Sequence, residues 1–463
     1  MLTYEDLVKV GENDRERIDF VKAAIAAHIG SPEYAKAVEA QAYYDGDNPT
    51  ITNYEKIVYD MMGRAHVDMW TANHKIKTQF FPMSVNQEVA YLLGNGVRFS
   101  EKTTKKRLGK LFDTRILKAT LNARVQGSSY VYWNNNHIEV FKFLEFLPLR
   151  GEENGAVMAG IRHWQLASDK PLRATLYELD GYTELIQKHG EEMVIMQPKR
   201  PYKITKRGTK AEGMEIVDAS NYDGFPIVPL YANEQHRSSI CGKRNTIDAL
   251  DLVTSQMVNN VDEGNLIYWV LTNCGGMDDL DDAKFIERIK TTRVAHADGD
   301  ANAKAEAHKI EAPVEGSSVA IDKLERQLYK DFQAFNSESV SASNQSATAI
   351  RAAYTPIDLK CDIEIEPQVT ECITGILTLA GIDDEPNYQR NQIINAMEET
   401  QKIVMQAQFL PEEYIQEKLL TINGDIDMLE SIQEKEENEE VKRLREAEKR
   451  LKEQQANDTE VGE

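Results

Sequence analysis

The chain has 463 residues, 41% of them apolar or aromatic, and a formal charge of −22. That length buries a substantial core and suits roughly two to four domains, while no apolar run reaches the roughly 20 residues a membrane span requires. The acidic balance argues against a basic surface that wraps nucleic acid, because phosphate binding draws its free energy from Lys and Arg displacing counterions. It leaves room for a surface that nucleic acid slides past, since each tight phosphate contact would be a trap. The opening MLTYEDLVKVGENDRERIDF lacks the basic-then-apolar layout of a signal peptide, so synthesis in a cytoplasm is expected. Cys241, Cys274, Cys361 and Cys372 are widely spaced with no C-x-x-C pair, and are expected to be reduced and buried.

In chain order, a helix is predicted from Tyr4 to Ile29, then a polar turn from Tyr43 to Pro49. From Thr71 to Leu93 the apolar positions Ile76, Phe80, Phe81, Val85, Val89, Leu92 and Leu93 make one helical face, which Pro82 is expected to split in two and Gly94-Asn95-Gly96 to close. From Tyr130 the pattern turns to short β-rich pieces: Tyr130 to Trp133, His137 to Phe143, Ala156 to Trp164, Arg173 to Leu179 and Tyr182 to Ile186. Their polar or Gly-containing turns predict an antiparallel meander.

A long helix follows, about Thr246 to Val261, with Ile247, Leu250, Val253, Met257, Val258 and Val261 on one stripe. Ser317 or Ser318 can cap a second, bearing Ile321, Leu324, Leu328, Phe332 and Phe335. Taken alone, either stripe is more often an ordinary core face than an assembly surface. Between them lies an insert with an acid-started helix, Asp278 to Lys290, and two strand-like runs, Thr291 to Ala297 and Ala305 to Glu311.

Residues Asn336 to Ser346 are small and polar with no Lys or Arg, which predicts a mobile loop. A helix then runs from near Ala347 towards Ala380, interrupted by Pro356 and Pro367, either of which is expected to kink or break it, and stopped at Gly381. Further helices are predicted over Tyr388 to Gln406, Pro411 to Leu420 and the charged Asp427 to Gln455, whose broken heptad suits a solvated helix better than a coiled coil.

The chain shows no catalytic, cofactor or metal site. It has neither a G-x-x-x-x-G-K-[ST] phosphate loop nor H-E-x-x-H. The run from Asp298 begins like a calcium loop, yet Ala303 stands where Gly is required and Lys309 where the closing acid belongs, so a solvated turn is the better reading. Asp278, Asp279, Asp281 and Asp282 fan around a helix instead of converging, and favouring the helix dipole explains them. The loop serines lack a neighbouring His base or a G-x-S-x-G elbow. Two basic runs remain, Lys102, Lys105, Lys106 and Arg107, and Lys199, Arg200, Lys203, Lys206 and Arg207. Solvated charge is the ordinary reading of each, and contact with nucleic acid or a capsid the sharper one.

The order of parts resembles the portal family of long-tailed bacteriophages. The likeness is carried by Tyr43-Tyr44-Asp45-Gly46 with Ile51, by Asn73-His74-Lys75-Ile76 running to Tyr91-Leu92-Leu93-Gly94, and by Gly127-Ser128-Ser129-Tyr130-Val131-Tyr132. It continues through Phe225-Pro226-Ile227-Val228-Pro229-Leu230, Ser346-Ala347-Thr348-Ala349-Ile350-Arg351 and Tyr388-Gln389-Arg390-Asn391, to Leu419-Leu420 before Asp425 to Leu429. The two prolines after the polar loop depart from the family pattern.

The resemblance implies an α+β, mainly helical portal fold of wing, stem, clip and crown in a ring-forming subunit, with no enzymatic activity and no cofactor. It implies a wing over 1–244, stem helices over 245–270 and 317–335, a clip over 271–316, a channel loop over 336–346, a kinked channel-side helix over 347–382 and a crown over 383–463. Stem packing falls to Ile247, Leu250, Met257, Val261, Ile321, Leu324, Leu328 and Phe332. The DNA-facing loop residues are Asn336, Ser337, Ser339, Ser341, Ser343, Asn344, Gln345 and Ser346. The implied partners are further copies in a ring, usually a dodecamer, double-stranded DNA in the channel, the terminase large subunit, a head-to-tail connector, and the capsid and scaffolding proteins. No membrane is involved, and the protein would reside at the portal vertex of the virion. Two other classes stay open from the residues alone: a metal-dependent DNA-processing enzyme using Asp278 or Asp281, and a capsid adaptor without a channel.

Overall fold

Capping residues cut the first elements. In the computed structural model the described residues are 2–59, 62–68, 73–207, 216–264, 267–272, 304–309, 314–337, 347–391, 396–406 and 409–423. They fall into two units, Met1–Asn336 with Thr355–Asn391, and Ser337–Tyr354 with Gln392–Glu463. The expected single helix from Tyr4 to Ile29 is two, α1 (Tyr4–Val10) and α2 (Asp14–Ile29). Gly11, at φ +66°, ends the first, and the Asn13 side chain accepts the Arg15 N–H to start the second. Helices α3 (Pro32–Tyr44) and α4 (Pro49–Thr52) each carry Pro in the first turn behind a capping side chain, Ser31 and Asn48.

A two-stranded ribbon, β1 (Ile57–Tyr59) with β2 (Ala65–Val67), precedes an extended segment over 73–79 and then α5 (Phe80–Leu93). Pro82 opens α5 instead of splitting a longer helix. In the first turn its missing N–H costs nothing, because those donors have no partner within the helix. Strand β3 (Val97–Arg98) and helices α6 (Lys102–Leu108) and α7 (Phe112–Gln126) lead to the β-rich region.

That region is not one meander. Strands β4 (Ser128–Asn134) and β5 (His137–Lys142) belong to one sheet; β6 (Phe146–Arg150), β7 (Val157–Trp164), β8 (Leu172–Glu178), β9 (Gly181–Gln187) and β10 (Val194–Arg200) form a separate five-stranded antiparallel sheet in the order β10-β9-β8-β7-β6. A ribbon follows, β11 (Lys203–Arg207) with β12 (Ile216–Ser220), and β13 (Ile227–Tyr231) returns to complete the order β13-β4-β5. Three sheet margins carry proline: Pro148 on β6, Pro198 on β10 and Pro229 on β13. A missing N–H is tolerable at an edge and discourages a further strand from pairing there.

The two sheets are joined by an aromatic seam in which Tyr130 and Phe146 lie 4.5 Å apart by ring centroids, Tyr132 and Tyr177 5.4 Å, and Tyr182 and Tyr202 5.7 Å. Phe20, Val21, Ala24 and Ile25 of α2 close the other face of the larger sheet over Leu149, Ile161, Ala174 and Leu176. Each large apolar side chain so buried contributes roughly 1.5–3 kcal/mol.

Beyond the sheets, α8 (Arg244–Gly264) pairs with α9 (Val314–Phe332), which begins ahead of Ser317 and Ser318, so neither serine caps it. Residues 267–270, placed at the end of the first stem helix, instead open a strand, β14 (Ile267–Thr272). It pairs antiparallel with β15 (Lys304–Lys309), which overlaps the strand-like run expected over Ala305 to Glu311. Ile-Tyr-Trp-Val-Leu-Thr is rich in β-branched and aromatic side chains that suit a pleated surface. The helix Asp278 to Lys290, the run Thr291 to Ala297 and the turn after Asp298 lie outside the described residues.

Helix α10 (Ala347–Lys360) keeps Pro356 inside it. A π turn, Cys361–Ile365, links it to α11 (Glu366–Ala380), where Pro367 sits in the first turn. The interruption thus falls just ahead of the proline that lacks a ladder donor. Gly381 stops α11 in the left-handed region, at φ +63°. Tyr388 begins no helix: β16 (Asn387–Tyr388) pairs with β3. In the second unit, α12 (Ala396–Gln406) packs on α13 (Glu412–Asn423), and residues 424–463, including the charged stretch from Asp427, lie outside the described residues.

Candidate functional site at the base of the helix pair

Four of the predicted helix-packing residues, Ile247, Leu250, Leu328 and Phe332, meet in one buried cluster with Phe80, Phe81, Val85 and Val125, and Ile321 and Leu324 lie against it. The stripes of α8 and α9 therefore close on each other within the chain at this end. Met257 is half-buried, and towards the other end Val261, Val314 and Val319 are exposed. Of the predicted loop residues, Asn336 is half-buried and Ser337 exposed, while Ser339, Ser341, Ser343, Asn344, Gln345 and Ser346 lie outside the described residues.

An ionic cluster that the sequence reading missed sits at the base of the pair. The Glu88 carboxylate accepts from Arg124 Nε at 2.6 Å and Nη2 at 3.2 Å, and also meets Lys360 Nζ. Arg124 Nη1 donates to the Ala232 carbonyl at 2.6 Å and to Glu364 at 3.2 Å, which ties the cluster to the π turn. Burial pushes the Glu88 carboxyl up, but the Arg124 and Lys360 charges outweigh it and hold the group at about 2. Glu88 falls on the same stripe as Ser84, Val85 and Leu92, so an acid on an apolar face was the available signal.

The cluster also grips the end of α9. Lys360 Nζ donates to the Phe332 carbonyl at 2.7 Å, and Lys243 Nζ lies 4.5 Å from the centre of the Phe332 ring. Burial, aided by the nearby Lys360 charge, pulls the Lys243 amine down to about 8. One residue from Glu88, the Gln87 amide accepts the Phe335 N–H at 2.9 Å and donates to the Phe335 carbonyl at 2.8 Å.

Along α8 runs the extended segment over 73–79. The N–H groups of His74, Ile76 and Thr78 donate to Asn259 Oδ1 at 2.7 Å, Ser255 Oγ at 2.9 Å and Asp251 Oδ1 at 2.9 Å. Every second residue of the strand meets every fourth residue of the helix, because two strand residues rise about 6.6 Å and four helical residues about 6 Å. Asp251, fully buried, also accepts from Asn48 Nδ2 at 2.8 Å.

Five members of the basic runs, Lys105, Arg107, Lys199, Arg200 and Lys203, are engaged within the fold. Lys105 pairs with Asp113 at 2.6 Å, and Arg107 donates to the Ala380 and Gly381 carbonyls at the end of α11, where a cation complements the helix dipole. Lys199 bridges Glu178 and Asp180, Arg200 meets Glu184, and Lys203 lies 4.2 Å from the centre of the Tyr222 ring. An open cavity of about 310 Å³ lies beside the first run, between Lys110, Phe112, Arg115 and His137. Of the cysteines, Cys361 and Cys372 are buried and free, Cys241 is exposed against expectation, and Cys274 lies outside the described residues. Among the described residues no three His, Cys, Asp or Glu side chains group as metal ligands, and no helix is long and apolar enough to cross a membrane.

The family model described as "Phage portal protein, SPP1 Gp6-like" matches residues 26–442. The chain belongs to this family of phage portal proteins. It is similar to the portal protein of Clostridium phage phiCD119, 21% identical over 418 residues that cover 82% of this chain and 88% of the relative. It is likewise similar to the portal protein of Bacillus phage SPP1, 21% identical over 397 residues, 77% of this chain and 74% of the relative. A chain from a structure described as "Neck of native GTA particle computed with C12 symmetry" aligns with a TM-score of 0.43 and 11% identity over 74% of this chain and 89% of that one.

Proposed function

We propose that the chain assembles as a closed ring, of twelve copies by the pattern of its family, at one vertex of the capsid, where it is the conduit for DNA packaging and ejection. The match to the portal family over residues 26–442 carries this reading. In it, α8 and α9 are the stem, and the residues between them, including the β14–β15 ribbon, are the clip that docks the terminase and later the head-to-tail connector. The strongly acidic net charge suits a conduit, since DNA is repelled and guided without being held. The stretch Asn336 to Ser346, free of Lys and Arg, faces the DNA, and residues beyond 383 form the crown. Hydrolysis of ATP belongs to the separate terminase.

Within the ring, contacts between copies fall to surfaces left open by each subunit. Ile247, Leu250, Leu328 and Phe332 are already buried inside one chain, whereas Val261, Val314 and Val319 are exposed. Negative-stain images and native mass spectrometry of the purified protein are expected to show rings with a central opening. Stable monomers under every condition would overturn the proposal, and rings without an opening would favour an adaptor.

A further inference from the structure

We propose that Gln87 is a positioning residue that fixes where the chain leaves α9 for the polar stretch after Asn336. Its amide engages both backbone groups of Phe335, at 2.9 and 2.8 Å, as a neighbouring strand would. Phe335 is itself buried, and three residues earlier the Phe332 carbonyl is held by Lys360. Gln87 is half-buried and sits beside Glu88, so its backbone is fixed by the ionic cluster. The departure point of the chain is thereby tied to α5, α7 and α10 at once.

A carboxamide is one of few side chains that serves both backbone groups, because it offers a donor and an acceptor side by side. Alanine offers neither. Glutamate, when ionised, accepts from the Phe335 N–H but sets a second negative oxygen against the Phe335 carbonyl; once protonated it has a hydroxyl that donates to that carbonyl, restoring the pair.

The test uses the full chain in assembled rings and follows amide exchange at Phe335 together with DNA retention in particles. Gln87→Ala is expected to assemble normally, to exchange roughly tenfold faster at Phe335 after losing two hydrogen bonds, and to retain less DNA. Gln87→Glu is expected to lie between Gln87→Ala and the wild type at neutral pH, because the carboxylate keeps the N–H acceptor but faces the carbonyl with negative charge, and to recover protection on acidification, after correction for intrinsic exchange. A side chain that only fills space gives no such recovery. Unchanged exchange at Phe335 in Gln87→Ala, or no recovery in Gln87→Glu, overturns the proposal.

The link to DNA rests on the reading of Asn336 to Ser346 as the DNA-facing stretch, and deletion of Ser337 to Ser346 separates the two failures. If the deletion leaves packaging and retention normal, that reading falls. If the deletion impairs them while Gln87→Ala, with faster exchange at Phe335, retains DNA normally, the positioning role falls and the reading stands.

Discussion

Arg124 meets Glu88 through both Nε and Nη2, and neither side chain is more than 2% exposed. A buried pair of this kind adds little over a well-packed apolar pair, but removing one partner strands the other charge. Glu88→Ala, which leaves Arg124 and Lys360 without their shared carboxylate, is expected to cost about 3–5 kcal/mol in denaturant unfolding. A loss under about 1 kcal/mol would show that the cations find other partners.

The same carboxyl gives a pH dependence. Held at about 2 in the fold against an ordinary value of 4.5, Glu88 contributes stability that is fully present above 4.5 and is lost as pH falls through the folded value. The contribution is on the order of 3 kcal/mol. Unfolding of the wild type is expected to steepen below pH 4.5 more than that of a Glu88→Leu, Arg124→Leu double variant, and parallel profiles would refute this.

His28 of α2 and His163 of β7 pack edge to face, with ring centroids 5.8 Å apart. Burial, with a smaller contribution from the His28 charge, lowers His163 to about 4 from 6.5, and burial likewise lowers His28. A histidine kept neutral by the fold binds more protons when unfolded, so its contribution is present above 6.5 and declines as pH falls towards 4. His163→Phe is expected to flatten the stability profile in that window, seen as a smaller shift in thermal midpoint between pH 7 and pH 5. An unaltered slope would show that the pair opens without cost.

On the paired strands β6 and β7, the Phe146 ring covers Gly160: a Cβ built at Gly160 would stand 2.1 Å from Phe146 Cζ. Gly160→Ala is expected to destabilise by about 1–3 kcal/mol through overpacking of the seam. Combining it with Phe146→Leu should return part of that loss, and strict additivity in a double-mutant cycle would refute the contact.

Ser255→Ala leaves the Ile76 N–H without its acceptor beside α8. The expected cost is about 1–3 kcal/mol, with faster amide exchange at Ile76 than at residues of α8 itself. Equal exchange across both elements would show that the segment and the helix open together.

Where the fold was legible, the signal was periodic or punctuated. The apolar stripes of α8 and α9 and the stops at Gly94 and Gly381 could be read directly, because a helical face and a glycine after the last turn are local signals; of the two only Gly381 takes the left-handed conformation. The break at Gly11 was hidden by similar composition on both sides, and residues 267–270 of β14 were absorbed into the stem helix before them although their side chains favour a strand. Pro82 was read as a breaker because its distance from the helix start was unknown. The ionic cluster was illegible for a different reason: Glu88 hinted at it, but Arg124, Lys360 and Glu364 come from other segments, and no one-dimensional pattern joins them.

The strap over 73–79 works as a vernier. Its repeat exceeds that of the helix by about 0.6 Å, so donors aligned at the middle contact drift by that much at each contact to either side. Good hydrogen bonds span only about 0.5 Å in length, from 2.7 to 3.2 Å. The contacts of His74, Ile76 and Thr78, at 2.7, 2.9 and 2.9 Å, stay within that span, but a longer strap would fall out of step with α8. A single extended segment can therefore brace a helix only locally, and the rest of α8 must find its support elsewhere.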